Sequence, residues 1–221
     1  MNLLRPMFTM KKYQLLAVVL LITTTTLPAQ NTMQALFAGN VKLTFLGVDF
    51  TRAKYVGADG FTDPAAIENQ HIKSWNSLLV LEPNKYSLQK AFKIKDESLY
   101  ETNIDEVIRI NTQAKVEPNI TETPHSLTEA DVAKMVSAYQ PQSSEGVGIV
   151  YIAENLNKNA QEFTVWVTFL DMSNRKVLHT ERIVAKPGGF GFRNYWAGAV
   201  YKVNKAIESK LYKQWSKQFR S

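Results

Sequence analysis

Residues 41–50, "VKLTFLGVDF", alternate apolar and polar positions and are rich in β-formers, which predicts a first strand. The period then changes. In "TDPAAIENQHIKSWNSLLVLEPNKY" the residues Ile67, Ile72 (or His71), Trp75, Leu78 and Leu79 recur near helical spacing, Asp63 stands as an N-cap, Pro64 fits the first helical position and Pro83 stops the helix. A short helical piece is expected over 87–93. Residues 104–111, "IDEVIRIN", are expected as a strand from Ile104, Val107, Ile108 and Ile110, although the doubled Val107-Ile108 breaks strict alternation. "QAKVEPNITETPHSL" has two prolines and little periodicity, so it reads as a surface loop.

Thr128 with Asp131 three residues on forms a capping box for a helix through Val132, Met135, Val136 and Tyr139. Three strand-like runs follow at 147–155, 162–171 and 177–185. Their connections, "LNKNAQ" and "MSNRK", are short and rich in turn formers, predicting an antiparallel meander. The last helix is expected over 193–219, with Trp196, Val200, Val203, Ile207 and Leu211 as its apolar stripe and Lys202, Lys205, Lys210, Lys213, Lys217 and Arg220 broadly opposite. The expected fold class is α/β (α+β): a mixed sheet of about five strands with a C-terminal antiparallel meander, packed by three main helices that lie on one face or are split between both. No internal repeat is visible.

The first 29 residues are read apart from the fold. Lys11 and Lys12, an apolar run over 13–22, a threonine tract and Leu27-Pro28-Ala29 make the pattern of a signal peptide cleaved after Ala29, leaving 30–221 as one domain. The apolar run is about half the ~20 residues needed to cross a bilayer, and no later stretch approaches that length, so no transmembrane segment is expected. The expected location is the periplasm or the cell exterior. Without Arg5, Lys11 and Lys12 the 26 basic residues fall to 23 against 20 acidic ones. From Lys186 onward there are eight basic residues and one acid, Glu208, whereas 30–185 holds 15 basic and 19 acidic residues: a basic tail on a mildly acidic body. The chain has no cysteine, which rules out disulfides, thiolate metal sites and a cysteine nucleophile.

The densest cluster of unusual residues is "KPGGFGFRNYWAG". Gly188 and Gly189 follow Pro187 where a strand must turn into a helix, a place that often needs positive φ, and Gly191 extends that freedom. Gly198, inside the helix, suits close approach of a neighbouring backbone. Three uses are open: a tight turn alone, a docking surface built on Phe190, Phe192, Tyr195 and Trp196, or an anion site made by the helix N-terminus with Arg193 and Asn194. The run lacks the Gly-Lys-Ser/Thr ending of a P-loop, and Asn194 occupies the place of the last glycine in G-x-G-x-x-G.

This segment, together with "LGVDFTRAKYVG" and "DPAAIENQHIKSWNSLL", resembles a family of uncharacterised exported bacterial α/β proteins, across essentially the mature chain. More loosely, the element order resembles α/β modules of periplasmic assembly factors, such as the N-terminal domain of TolB and the body of CsgG. The family resemblance implies an exported α/β protein and brings no activity with it.

Other chemistry is thin. His71, His125 and His179 have no zinc-site spacing, no G-x-S-x-G is present, and no cofactor is expected. Asp49 and Asp171, at strand ends, are a candidate carboxylate pair should they meet at one sheet edge. The basic terminal helix suits an acidic partner or anionic lipid, while export argues against nucleic acid. The function expected is that of a non-enzymatic accessory or scaffold of the cell envelope acting by protein contact; the alternative is an anion-binding protein or hydrolase with its site at 188–194.

Overall fold

A computed structural model describes residues 29–220, so the segment read as a signal peptide lies outside the described residues except for Ala29. The helices are α1 (Ala29–Phe37), α2 (Pro64–Ala66), α3 (Ile72–Leu81), α4 (Pro83–Tyr86), α5 (Asp105–Asn111), α6 (Glu129–Ser137), α7 (Phe192–Ala206) and α8 (Tyr212–Arg220). The strands are β1 (Leu43–Asp49), β2 (Lys54–Val56), β3 (Tyr100–Thr102), β4 (Ile120–Thr121), β5 (Val147–Asn157), β6 (Glu162–Asp171) and β7 (Val177–Ala185). π-turns at Ile67–His71 and Ile207–Leu211 carry α2 into α3 and α7 into α8, so each pair reads as one rod. Asp63 caps the first rod by accepting from the Ala66 N–H at 2.9 Å, with Pro64 next in line. Thr128 and Asp131 make the expected reciprocal box on α6.

β5 is the axis of a mixed seven-stranded sheet. On one side β1 and then β2 run parallel to it, at Leu43↔Val147 to Asp49↔Ile152 and Lys54↔Asn155 to Val56↔Asn157. β3 extends this half beside β1, and β4 beside β2, again in parallel. On the other side β5 pairs antiparallel with β6, and β6 with β7. The sheet therefore has more strands than expected, and its first half is parallel. The ten residues 147–156 of β5 are all buried, because helices cover both faces. α1, α3, α7 and α8 pack over Phe45, Val48, Tyr151 and Phe169 on one face. α5 and α6 pack over Leu46, Val150, Ile152 and Leu170 on the other.

Two sequence expectations are corrected. Within 104–111, Asp105–Asn111 form a helix, not a strand, with Ile104 as its N-cap: Ile104, Val107, Ile108 and Asn111 sit at i, i+3, i+4 and i+7, a helical face, and the doubled apolar pair belongs to that period. The expected piece at 87–93 is no helix either. Pro83 at a first helical position starts α4 instead, and 88–93 make a turn that ends with Lys93 at φ 56°.

β1 bulges at Gly47, whose φ is 94° and where a Cβ would lie 2.6 Å from Asn76 Oδ1. Its pairing with β3 ends at Phe45↔Thr102. Beyond that, side chains do the work of a strand. Asn76 of α3 accepts from Val48 N–H at 2.7 Å and donates to Val48 C=O at 3.0 Å. Asn111 of α5 donates to the same carbonyl at 2.9 Å and accepts from Phe50 N–H at 2.7 Å.

Candidate functional site

The glycine-rich run starts where β7 ends, at Ala185 opposite Phe163. Gly188 N–H donates to Tyr195 C=O at 3.0 Å, folding the loop back on the first turn of α7. The Gly188 carbonyl then lies against Gly198, where a Cβ would come within 1.8 Å of it. A side chain on the helix at that point would push the loop off, which is the physical reason for a glycine one and a half turns into α7. Gly189 and Gly191 have φ of 129° and 77°, as the reversal requires, while Gly188 does not have positive φ.

The four aromatics of the run separate. Trp196 is buried and stacks on Phe61 at 5.7 Å between centroids. Phe192 is half-buried among Phe61, His71 and Trp75, at 6.1, 4.9 and 5.9 Å. Tyr195 is half-buried edge-on to Trp196, with Lys158 Nζ 4.1 Å from its ring centre. Phe190 alone faces solvent, 96% exposed.

Arg193 and Asn194 are both exposed, and Arg193 Nε donates to Asn194 Oδ1 at 3.3 Å. The Arg193 carbonyl accepts from Trp75 Nε1 at 2.9 Å, so this residue's backbone ties α7 to α3 while its guanidinium stays outside. His71 beside them is held below the usual imidazole range, chiefly by burial, with Asp63 opposing and Arg193 adding to the shift. The N-terminus of α7 has no side-chain cap.

A second place with unusual electrostatics lies at the end of β1. Asp49 is 1% exposed and accepts from Tyr139 Oη at 2.6 Å and from Thr51 N and Oγ1 at 2.8 and 2.7 Å. Burial pushes its carboxyl up, against the pull of those hydrogen bonds, and Glu106 adds to the rise. Tyr139 is pushed well up in turn, by burial first and then by Asp49. A cleft of about 330 Å³ opens here, lined by Asp49, Thr51, Arg52, Arg109, Gln113 and Tyr139. Arg109 is already clasped by Glu106, at 3.0 and 2.6 Å. The Asp49 contacts hold the 49–51 turn and the end of α6, a structural task that uses three of the carboxylate's lone-pair sites.

Asp171 is not near Asp49. Asp171 pairs with Val147 at the start of β5 and Asp49 with Ile152, so the two carboxylates stand five residues apart along the strands, roughly 16 Å. Asp171 instead caps the next turn through Ser173 and Asn174. The expectation of a carboxylate pair therefore fails. The histidines are also dispersed: His125 binds Glu154 C=O at 2.9 Å, and His179 packs on Phe169, Trp215 and Phe219.

Sequence reasoning missed the polar groups that fix these places. Glu154, fully buried, accepts from Leu127 N–H at 2.5 Å and Arg182 Nε at 2.6 Å, and Asn155 exchanges two hydrogen bonds with the backbone of His125. The signal available was a polar pair, Glu154-Asn155, inside the otherwise apolar run 147–156 of β5. The chain matches no protein-family model and no curated protein.

Proposed function

We propose that this chain is an exported, non-enzymatic accessory or scaffold domain of the bacterial envelope that works by protein contact, with Phe190 as its contact residue. The observation that carries the reading is the exposure of Phe190 at 96% on a loop tied back to α7 by the Gly188–Tyr195 hydrogen bond. A large apolar side chain so presented gains free energy from a partner that buries it, and a loop tied back on its own helix loses less entropy on binding. Lys186 and Arg193, both exposed, flank it, so the partner surface is an apolar pocket with an acidic rim. The leader-like segment and the resemblance quoted above support export. The alternative, an anion site or hydrolase at 188–194, has the uncapped first turn of α7 and Arg193 in its favour.

The test is site-specific photo-crosslinking from position 190 in living cells. A discrete adduct with one envelope protein is expected, together with its loss on Arg193→Glu. The absence of an adduct, or the same adducts from position 145 beside the opposite end of β5, overturns the reading. Thermal shifts with phosphate or dicarboxylates that vanish in Arg193→Ala select the alternative.

A further inference from the structure

We infer that the face formed by the turn after α4 and the outer side of α8 docks on an anionic bilayer, its cations meeting lipid phosphate groups. The face is distinct from the Phe190 loop: α7 and α8 run away from that loop, and the cations gather at their far end.

Segments far apart in sequence converge there. Lys90, Lys93 and Lys95 come from the turn, and Lys213, Lys217 and Arg220 from α8. A groove of about 900 Å³ runs along α8 between Lys93 and Lys217, and one of about 700 Å³ crosses the turn. Between them a cleft of about 270 Å³ has Leu36, Phe37 and Phe92 among its lining and Lys93, Lys95 and Arg220 among its cations. Lys93 lines all three.

Three acids lie nearby, Asp96, Glu97 and Glu208, against the six cations, so the face keeps a net positive charge; Glu97 is exposed, and Asp96 lines the cleft. Glu208 is held by Lys90 at 3.3 Å and by Lys205, and Asp96 accepts from Ser98 N and Oγ at 2.9 and 2.7 Å. Lys95, Lys213 and Lys217 have no ion-pair partner among the described residues. Lys93 adopts φ 56° in a turn closed by Lys93 N–H to Lys90 C=O and Ile94 N–H to Gln89 C=O, both 3.0 Å. Glycine is the favoured residue at such a position, so the lysine is kept at a conformational cost; its ammonium sits 4.8 Å from the Tyr212 ring centre.

A bilayer suits this face better than a protein. Arg220 is anchored on the Phe37 carbonyl, while the ammonium groups of Lys93, Lys95, Lys213 and Lys217 line open grooves, which match the diffuse charge of headgroups, and none of the exposed large apolar side chains lies among the groove linings to anchor a shaped pocket.

The test is co-sedimentation of the purified protein with vesicles of phosphatidylcholine alone and of phosphatidylcholine mixed with phosphatidylglycerol. Binding to the anionic vesicles only, weakened by salt, is expected. Each surface lysine contributes roughly fivefold, so Lys93→Gln/Lys213→Gln/Lys217→Gln lowers partitioning by about a hundredfold at an unchanged melting temperature. Lys73→Gln/Lys134→Gln/Lys176→Gln, exposed elsewhere, leaves it nearly unchanged. Equal binding to both vesicle types, equal loss in both triple variants, or binding to polyglutamate or inorganic phosphate without binding to vesicles overturns the inference.

Discussion

Gly198 and Gly188 touch backbone to backbone: a Cβ on Gly198 would stand 1.8 Å from the Gly188 carbonyl oxygen. Two effects of Gly198→Ala oppose each other. Helix propensity favours alanine by about 1 kcal/mol, whereas displacing a packed turn typically costs about 1–3 kcal/mol. Because the overlap is with backbone on a loop tied down by the Gly188–Tyr195 hydrogen bond, the steric effect wins and Gly198→Ala lowers stability in urea titration. Gly188→Ala, with nothing within 4 Å of its Cβ, stays within about 0.5 kcal/mol of wild type. A more stable Gly198→Ala would mean that the loop does not rest on the helix.

Asn76 uses both ends of its amide on Val48, accepting at 2.7 Å and donating at 3.0 Å. Asn76→Leu leaves the Val48 N–H buried without its partner, at a cost of about 1–3 kcal/mol. Asn76→Asp keeps the acceptor but sets a carboxylate oxygen against the Val48 carbonyl, so it is the worse of the two. Equilibrium unfolding of the pair checks the order; a well-tolerated Asn76→Asp would show that the amide's donor end is dispensable.

The buried Asp49 gives a stability slope with pH. Its carboxyl is raised in the folded protein by burial, above an unfolded value of about 3.9. Between those two values the folded state binds more protons, so this group's contribution to stability falls as pH rises and levels off above the folded pKa. Asp49→Asn carries no such charge and still offers an acceptor to Thr51, while Tyr139 Oη can accept from its amide. The stability of Asp49→Asn relative to wild type therefore rises from pH 4 towards neutrality. A difference that is flat or of the opposite sign would show that Tyr139 and Thr51 outweigh burial.

Legibility in the sequence followed locality. β6 and β7 were readable because short turn-rich segments frame their strand-like runs, and the caps at Asp63 and Thr128 because each acts within three residues. β2, β3 and β4, two or three residues long, are too short to show a period, and their parallel pairing with distant strands leaves no local mark. The turn at 188–191 was readable from its glycines. That Phe192 and Trp196 turn inward was not, since the surfaces that bury them, Phe61, His71 and Trp75, lie more than 100 residues earlier. Asn76 and Asn111 likewise gain their meaning only from the strand edge they complete.

The last prediction concerns the junction between the segment read as a leader and the fold. α1 begins at Ala29 and buries Met33, Leu36 and Phe37, with Phe37 packed on Phe92, Tyr212 and Phe219 at 6.3, 5.6 and 6.0 Å. Processing after Ala29 spares all three side chains; processing ten residues later would strip them and uncover the end of α8. A chain beginning at Gln30 is therefore expected to fold with the buried set intact, and N-terminal sequencing of exported protein to begin at or near that residue. Within that chain Phe37→Ala costs about 3–5 kcal/mol, the usual range for emptying a buried phenylalanine site. A chain starting at Gly39 that melts at the same temperature as one starting at Gln30 would show that α1 is no part of the core. A mature terminus beyond Met33 would place the cut where the packing forbids it, and with it would fall the reading of 1–29 as a leader removed whole.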